Sequence, residues 1–238
     1  MLRAGDVDVP VLLFRPDDHA PVAGVVVAPE AQGINHFIRD VGTRLAREGY
    51  LAAVPDYYHG RGPEDPDSLT SLAHLPVIQG AIDALDFRQG SEDMLAAVDH
   101  LHGAQHLDQV AVWGYCTGGT LAMMAACQGR SVDAAVLFYP SQPRFSQLTP
   151  KRPQHPIDLV WQLRKPVLLV VGDEDPVWPA DLIADVAHRC DQWSIPLEVS
   201  VYEGAGHTFA GHFENWHRPG AAAEAWVQSI DFLGRCLS

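Results

Sequence analysis

One short segment constrains the fold more than any other: Gly114-Tyr115-Cys116-Thr117-Gly118-Gly119, which follows the apolar run Val110-Ala111-Val112-Trp113 and opens a helical pattern over Thr117–Gln128. A strand without polar alternation is covered on both faces, as in a parallel sheet. A strand that turns directly into a helix is half of the crossover unit that builds such a sheet. Gly114 and Gly118 lie two residues either side of Cys116, where a β-carbon would collide with so tight a turn. The side chain between them is lifted off the strand end, at a helix N-terminus that favours negative charge. A thiol there gains twice, because the dipole favours its thiolate and the Thr117 N–H points at a developing oxyanion. Cys116 is therefore the candidate nucleophile, set against the plainer reading of a buried cysteine in a glycine-rich turn.

Two further turns supply its partners. The run Pro166–Val171 ends in Gly172-Asp173-Glu174-Asp175-Pro176, and Leu197–Tyr202 ends in Glu203-Gly204-Ala205-Gly206-His207. The chain order is thus Cys, Asp, His, the order of α/β-hydrolases and not that of chymotrypsin-type or subtilisin-type enzymes. All three residues fall just after a predicted strand, at the edge where open α/β sheets place their sites.

Strand-like runs occur at Val9–Phe14, Gly24–Ala28, Leu51–Pro55, Gln109–Gly114, Ala134–Tyr139, Pro166–Gly172 and Leu197–Glu203. Helical patterns occupy Asn35–Glu48, Ser91–His102, Thr117–Gln128, Ala180–Gln192 and Ala221–Cys236. The alternation predicts an α/β fold, a doubly wound and mostly parallel sheet with helices on both faces. His59–Gln89 reads as an excursion over the sheet edge, polar at first and then weakly helical, and the proline-rich Gln142–His155 as a loop. No repeat or low-complexity linker divides the chain, so one domain over 1–238 is expected.

Composition narrows the function classes. With 238 residues and 47% hydrophobic content the chain can bury one sizeable core. A net charge of −14 argues against nucleic acid and anionic membrane surfaces. Cysteines 116, 127, 190 and 236 show no CxxC spacing and read as reduced thiols of a cytoplasmic protein. The N-terminus is polar, and no stretch approaches the roughly 18 apolar residues of a membrane span, so neither secretion nor insertion is expected.

The chain resembles the dienelactone hydrolase family of α/β-hydrolases over nearly its full length. The matching segments are Ala28–Asn35, Arg47–Tyr50 leading into Val54–Tyr58, Gly114–Gly119, Gly172–Pro179, Gly204–Phe209, and the closing Asn215, Arg218-Pro219 and Ala222–Trp226. The resemblance implies a Cys116–His207–Asp175 triad, with Asp173 solvated or structural, and an oxyanion hole from the backbone N–H groups of Thr117 and Ala31. It also implies that Glu30 takes part in switching the thiol from a neutral resting form to an attacking thiolate, set against the plainer reading of a cap for its loop or for the helix beginning near Asn35. One departure stands out: dienelactone-cleaving members carry an arginine four residues after the histidine, where this chain has Gly211, and Leu75–Gln79 offers no second cation. A pocket without that clamp should prefer neutral esters or lactones, unless Arg88, Arg144 or Arg218 reaches it from another direction.

No cofactor is called for. His207, His212 and His217 are spaced by five, which does not align ligands on a helix face as H-E-x-x-H does, and Gly114–Gly119 lacks both P-loop and dinucleotide patterns. Two function classes remain: a cysteine-dependent hydrolase of a small ester or lactone, monomeric or homodimeric, and a non-catalytic small-molecule binding protein on the same fold.

Overall fold

In the computed structural model, which describes residues 1–129 and 131–237, the predicted runs become a layered α/β unit. Its strands are β1 (Leu2–Ala4), β2 (Val7–Val9), β3 (Val11–Phe14), β4 (Gly24–Ala28), β5 (Leu51–Pro55), β6 (Val110–Tyr115), β7 (Ala134–Phe138), β8 (Val167–Gly172) and β9 (Leu197–Tyr202). The helices are α1 (His36–Arg47), α2 (Leu75–Ala84), α3 (Phe87–Gly103), α4 (Thr117–Gln128), α5 (Ala180–Gln192) and α6 (Pro219–Cys236). β1 and β2 form a separate antiparallel hairpin, and the other strands make one sheet in the order β3-β5-β4-β6-β7-β8-β9. Only the edge strand β3 runs antiparallel to its neighbour.

The order reverses at the centre. From β5, on one side of β4, the chain crosses to β6 on the other, with Ala28 of β4 opposite Gly114 of β6. The crevice beyond the carboxyl ends of β4 and β6 is thus a topological switch point, where α/β sheets bind their ligands.

Side-chain alternation along the sheet divides the core in two. Val25, Val27, Ala111 and Trp113 face one layer with Ile38, Val41 and Leu45 of α1 and Trp226, Phe232 and Leu233 of α6. Val26, Ala28, Val110 and Val112 face the other, with Met94, Val98 and Leu101 of α3 and Leu121 of α4. Each of these buried large aliphatic or aromatic side chains contributes about 1.5–3 kcal/mol relative to exposure, and both layers press on the strands that carry the candidate site. Among the described residues no helix is long and apolar enough to cross a membrane.

Three local differences from the sequence reading have physical causes. The run Val9–Phe14 is split, because Pro10 donates no N–H to a ladder and Val9 pairs instead with Leu2 in the hairpin. α3 begins at Phe87, one turn before Ser91, with Asp86 as its cap accepting from Gln89 N at 3.0 Å. The polar run Arg88-Gln89-Gly90 conceals that first turn from hydropathy; Gly90 is there because a β-carbon would lie 3.0 Å from Leu121 of α4. The weakly helical stretch before it is a true helix, α2, and a short 3₁₀ segment follows the proline-rich loop at Pro156–Gln162.

Candidate active site

Cys116 adopts φ 52° and ψ −115°, a conformation unusual for any residue but glycine. Tight packing on both sides imposes it. A β-carbon on Gly114 would run into the Gly118 carbonyl, and one on Gly118 into the carbonyls of Ala28 and Pro29. The first turn of α4 therefore lies directly against the end of β4. The elbow is pinned by bonds from Cys116 N to Phe138 O and from Ser141 N to Cys116 O, each 3.0 Å.

The three residues singled out from the sequence converge. His207 Nε2 lies 3.3 Å from Cys116 Sγ, and His207 Nδ1 lies 2.8 Å from Asp175 Oδ2. Asp175 is buried, its other oxygen accepts from Val177 N at 2.8 Å, and it is thereby aimed at the imidazole. Asp173 instead accepts from Gly204 N at 2.8 Å, tying the two loops together without touching the histidine. Burial works against a charge on His207, but the Cys116 sulfur and the hydrogen bonds with Asp175 and Cys116 outweigh it and push the imidazole up to about 10.

The loop after β4 carries Glu30 and Ala31, both buried. Two tyrosines missed by the sequence reading clamp it: Tyr57 O–H donates to Glu30 O at 2.7 Å, with Pro29 O at 3.1 Å, and Tyr58 O–H donates to Ala31 O at 2.8 Å. The available signal was the adjacent pair of tyrosines after β5, at the same sheet edge. Opposite this loop, the Thr117 N–H is the first of α4 and has no intrahelical acceptor.

Glu30 is not on the thiol. Its Oε1 accepts a 3.4 Å bond from Tyr139, whose ring meets His207 edge-on at a centroid distance of 5.4 Å. Gly211 lies against the carboxylate so closely that a β-carbon there would sit 2.9 Å from both oxygens. Burial pushes Glu30 up to about 7, against the opposing influence of His207 and the Tyr139 hydrogen bond. The arginines that could have supplied a cation are engaged elsewhere. Arg218 donates to the carbonyls of Gly204, Asn215 and His217, Arg88 pairs with Glu92 at 3.1 Å, and Arg144 faces Asp158 at 3.7 Å. Among the described residues no group of three potential metal ligands assembles.

A mostly parallel sheet with a strained elbow after a central strand, and acid and histidine turns after its last two strands, defines an α/β-hydrolase. The chain belongs to the dienelactone hydrolase family, whose sequence profile matches residues 9–237. A Bradyrhizobium protein named "Probable 2-oxo-3-(5-oxofuran-2-ylidene)propanoate lactonase" is 34% identical over 223 residues, 93% of this chain and 87% of that protein. A Yersinia pestis protein named "Putative carboxymethylenebutenolidase" is 28% identical, over 95% of this chain and 83% of its own. Among solved structures, a Klebsiella pneumoniae protein described as "Putative Dienelactone Hydrolase" superimposes with a TM-score of 0.79 at 26% identity, covering 95% of this chain and 93% of its own.

Proposed function

We propose that this chain hydrolyses a small neutral ester or lactone through a thioester on Cys116, without a cofactor. The observation that carries the reading is the continuous line Cys116 Sγ, His207 Nε2, His207 Nδ1, Asp175 Oδ2, with links of 3.3 and 2.8 Å. An imidazole pushed up to about 10 between the sulfur and the Asp175 carboxylate is placed to take the thiol proton as the sulfur attacks. The thiolate attacks the substrate carbonyl carbon, and the oxyanion is held by the N–H groups of Thr117 and Ala31. Collapse expels an alkoxide that takes the proton from His207, leaving the acyl group on sulfur. Water then gives a proton to His207 and attacks the thioester, releasing the acid and restoring the thiolate. Glu30, buried next to Tyr139 and half-titrated near neutrality, biases this proton transfer through its charge near His207, without touching the thiol.

The names of the relatives support lactone cleavage. The preference for neutral substrates rests on Gly211, on an α2 without cations at Leu75–Gln79, and on the engagement of Arg88, Arg144 and Arg218. The test is labelling by a thiol-reactive probe at about pH 6, read by mass spectrometry, beside hydrolysis of p-nitrophenyl esters and lactones. Burial raises the thiols of Cys127, Cys190 and Cys236, so label should enter at Cys116 alone and activity should disappear with it. Labelled protein with full activity would remove Cys116 from the chemistry, and no turnover of any ester or lactone would return the chain to the class of binding proteins.

A further inference from the structure

A second histidine–aspartate pair lies outside the triad. His59 Nε2 lies 2.7 Å from Asp93 Oδ2, and the other Asp93 oxygen accepts from Gln89 Nε2 at 2.9 Å. The Asp93 side chain is wholly buried, and His59 is held in a left-handed conformation with φ 53°. The pair therefore fixes the ring in place. Among the described residues His59 Nδ1 makes no hydrogen bond, although the ring lines a cavity of about 500 Å³.

The walls of that cavity say what would fit. Arg61 and Lys151, one of the chain's two lysines, line it with His59, so cations gather here on a chain of net charge −14. Lys151 Nζ donates once, to Ala84 O at 3.1 Å, which leaves two of its N–H groups, and among the described residues the Arg61 guanidinium has no hydrogen-bond or ion-pair partner. One oxygen of the acid on the wall, Asp86, accepts from Gln89 N as the cap of α3. The remaining surface comes from Leu85, Ala81 and the rings of Tyr57 and Tyr58, whose centroids are 4.6 Å apart. Cys116, His207, Asp175 and Glu30 do not line it.

We propose that this cavity binds a planar organic carboxylate, its anion on Arg61 and Lys151 and its unsaturated body on the Tyr57–Tyr58 wall. Two cations match a carboxylate, and aromatic rings on the wall match a flat apolar body better than the shell of a hydrated inorganic anion. The same two tyrosines hold the carbonyls of Glu30 and Ala31. Occupancy of the cavity thus bears on the loop that presents the Ala31 N–H, and the ligand modulates turnover from outside the catalytic groove.

Benzoate, with benzamide as its neutral counterpart, serves as the probe in calorimetric titrations of wild type and of protein whose Cys116 has been alkylated. Benzoate should bind both forms with a dissociation constant at or below roughly 10 mM, and benzamide at least tenfold more weakly. Arg61→Gln and Lys151→Gln should each weaken benzoate binding about tenfold, while turnover of a neutral ester without benzoate stays at the wild-type rate. Binding lost on alkylation but kept in both variants would move the ligand to the catalytic groove and overturn the proposal. Equal binding of benzamide, or none of benzoate, would also overturn it.

Discussion

Replacing Glu30 by glutamine tests the electrostatics of the site through stability. The carboxyl is buried, receives one side-chain hydrogen bond from Tyr139 at 3.4 Å, and titrates at about 7 against a reference of 4.5. The folded chain therefore holds this proton more tightly than the unfolded chain does. Below 4.5 both states are protonated and the residue leaves stability unchanged. As pH climbs to about 7 the unfolded chain ionises while the folded one lags, so stability falls; above about 7 the full cost of about 3 kcal/mol is in place. Glutamine keeps the shape and can accept the Tyr139 bond, yet does not titrate. Urea unfolding of Glu30→Gln and wild type should thus give a stability difference that moves by about 3 kcal/mol in the variant's favour between about pH 4.5 and 7.5. His207, whose raised pKa removes stability as pH rises from 6.5 through about 10, acts in both proteins and largely cancels from the difference. The variant should be the more stable protein at about pH 8 and the slower enzyme. A difference that does not change with pH over that window would show that Glu30 is already ionised in the fold, and the reasoning would fail.

Cys116→Ala should abolish ester cleavage with the fold intact by circular dichroism, and Cys116→Ser should keep weak activity at best, since an alkoxide is harder to form than a thiolate; wild-type rates in the alanine variant would exclude covalent catalysis here. Asp175→Asn should lower kcat by up to about 10⁴ with little change in Tm, because the amide can still touch the imidazole but does not stabilise imidazolium. Asp173→Asn, which loses only the bond to Gly204, should stay within about tenfold of wild type; the reverse order would misplace the acid by two positions. Tyr58→Phe leaves the buried Ala31 carbonyl without its partner and should cost about 1–3 kcal/mol in urea unfolding, with kcat falling more than KM rises. For matched neutral and carboxylate-bearing lactones, kcat/KM should favour the neutral one at least about tenfold, and Gly211→Arg should narrow the gap; a wild-type preference for the anion would contradict the missing clamp.

The geometry of the candidate site was readable because each residue sits just after an apolar strand, and strand ends in a parallel sheet share one edge. Cys116, Asp175 and His207 are 91 and 32 residues apart along the pairs that touch, so no local pattern linked them; chain order and sheet topology did. What stayed hidden was support of another kind. Tyr57, Tyr58 and Tyr139 act through single hydroxyls, and nothing in period or composition distinguishes a tyrosine that binds a carbonyl from one that merely packs. Glu30 was legible as a residue of interest, and the family's arginine at position 211, which helps hold that glutamate, set Gly211 beside it; the bond from Tyr139 left no spacing to read. The N-terminal hairpin escaped for a simpler reason: strands of three residues are too short to show alternation.

The backbone of Cys116 has a consequence for how this protein can change. A non-glycine residue at φ 52° and ψ −115° destabilises the fold by about 1–3 kcal/mol, and the surrounding glycines hold that conformation whatever side chain is present. Selection for thermal tolerance alone would therefore reward glycine at position 116 and erase the thiol. In a library screened for folding, the elbow should drift first, and its persistence as cysteine would measure how strongly chemistry, as opposed to stability, has shaped the chain.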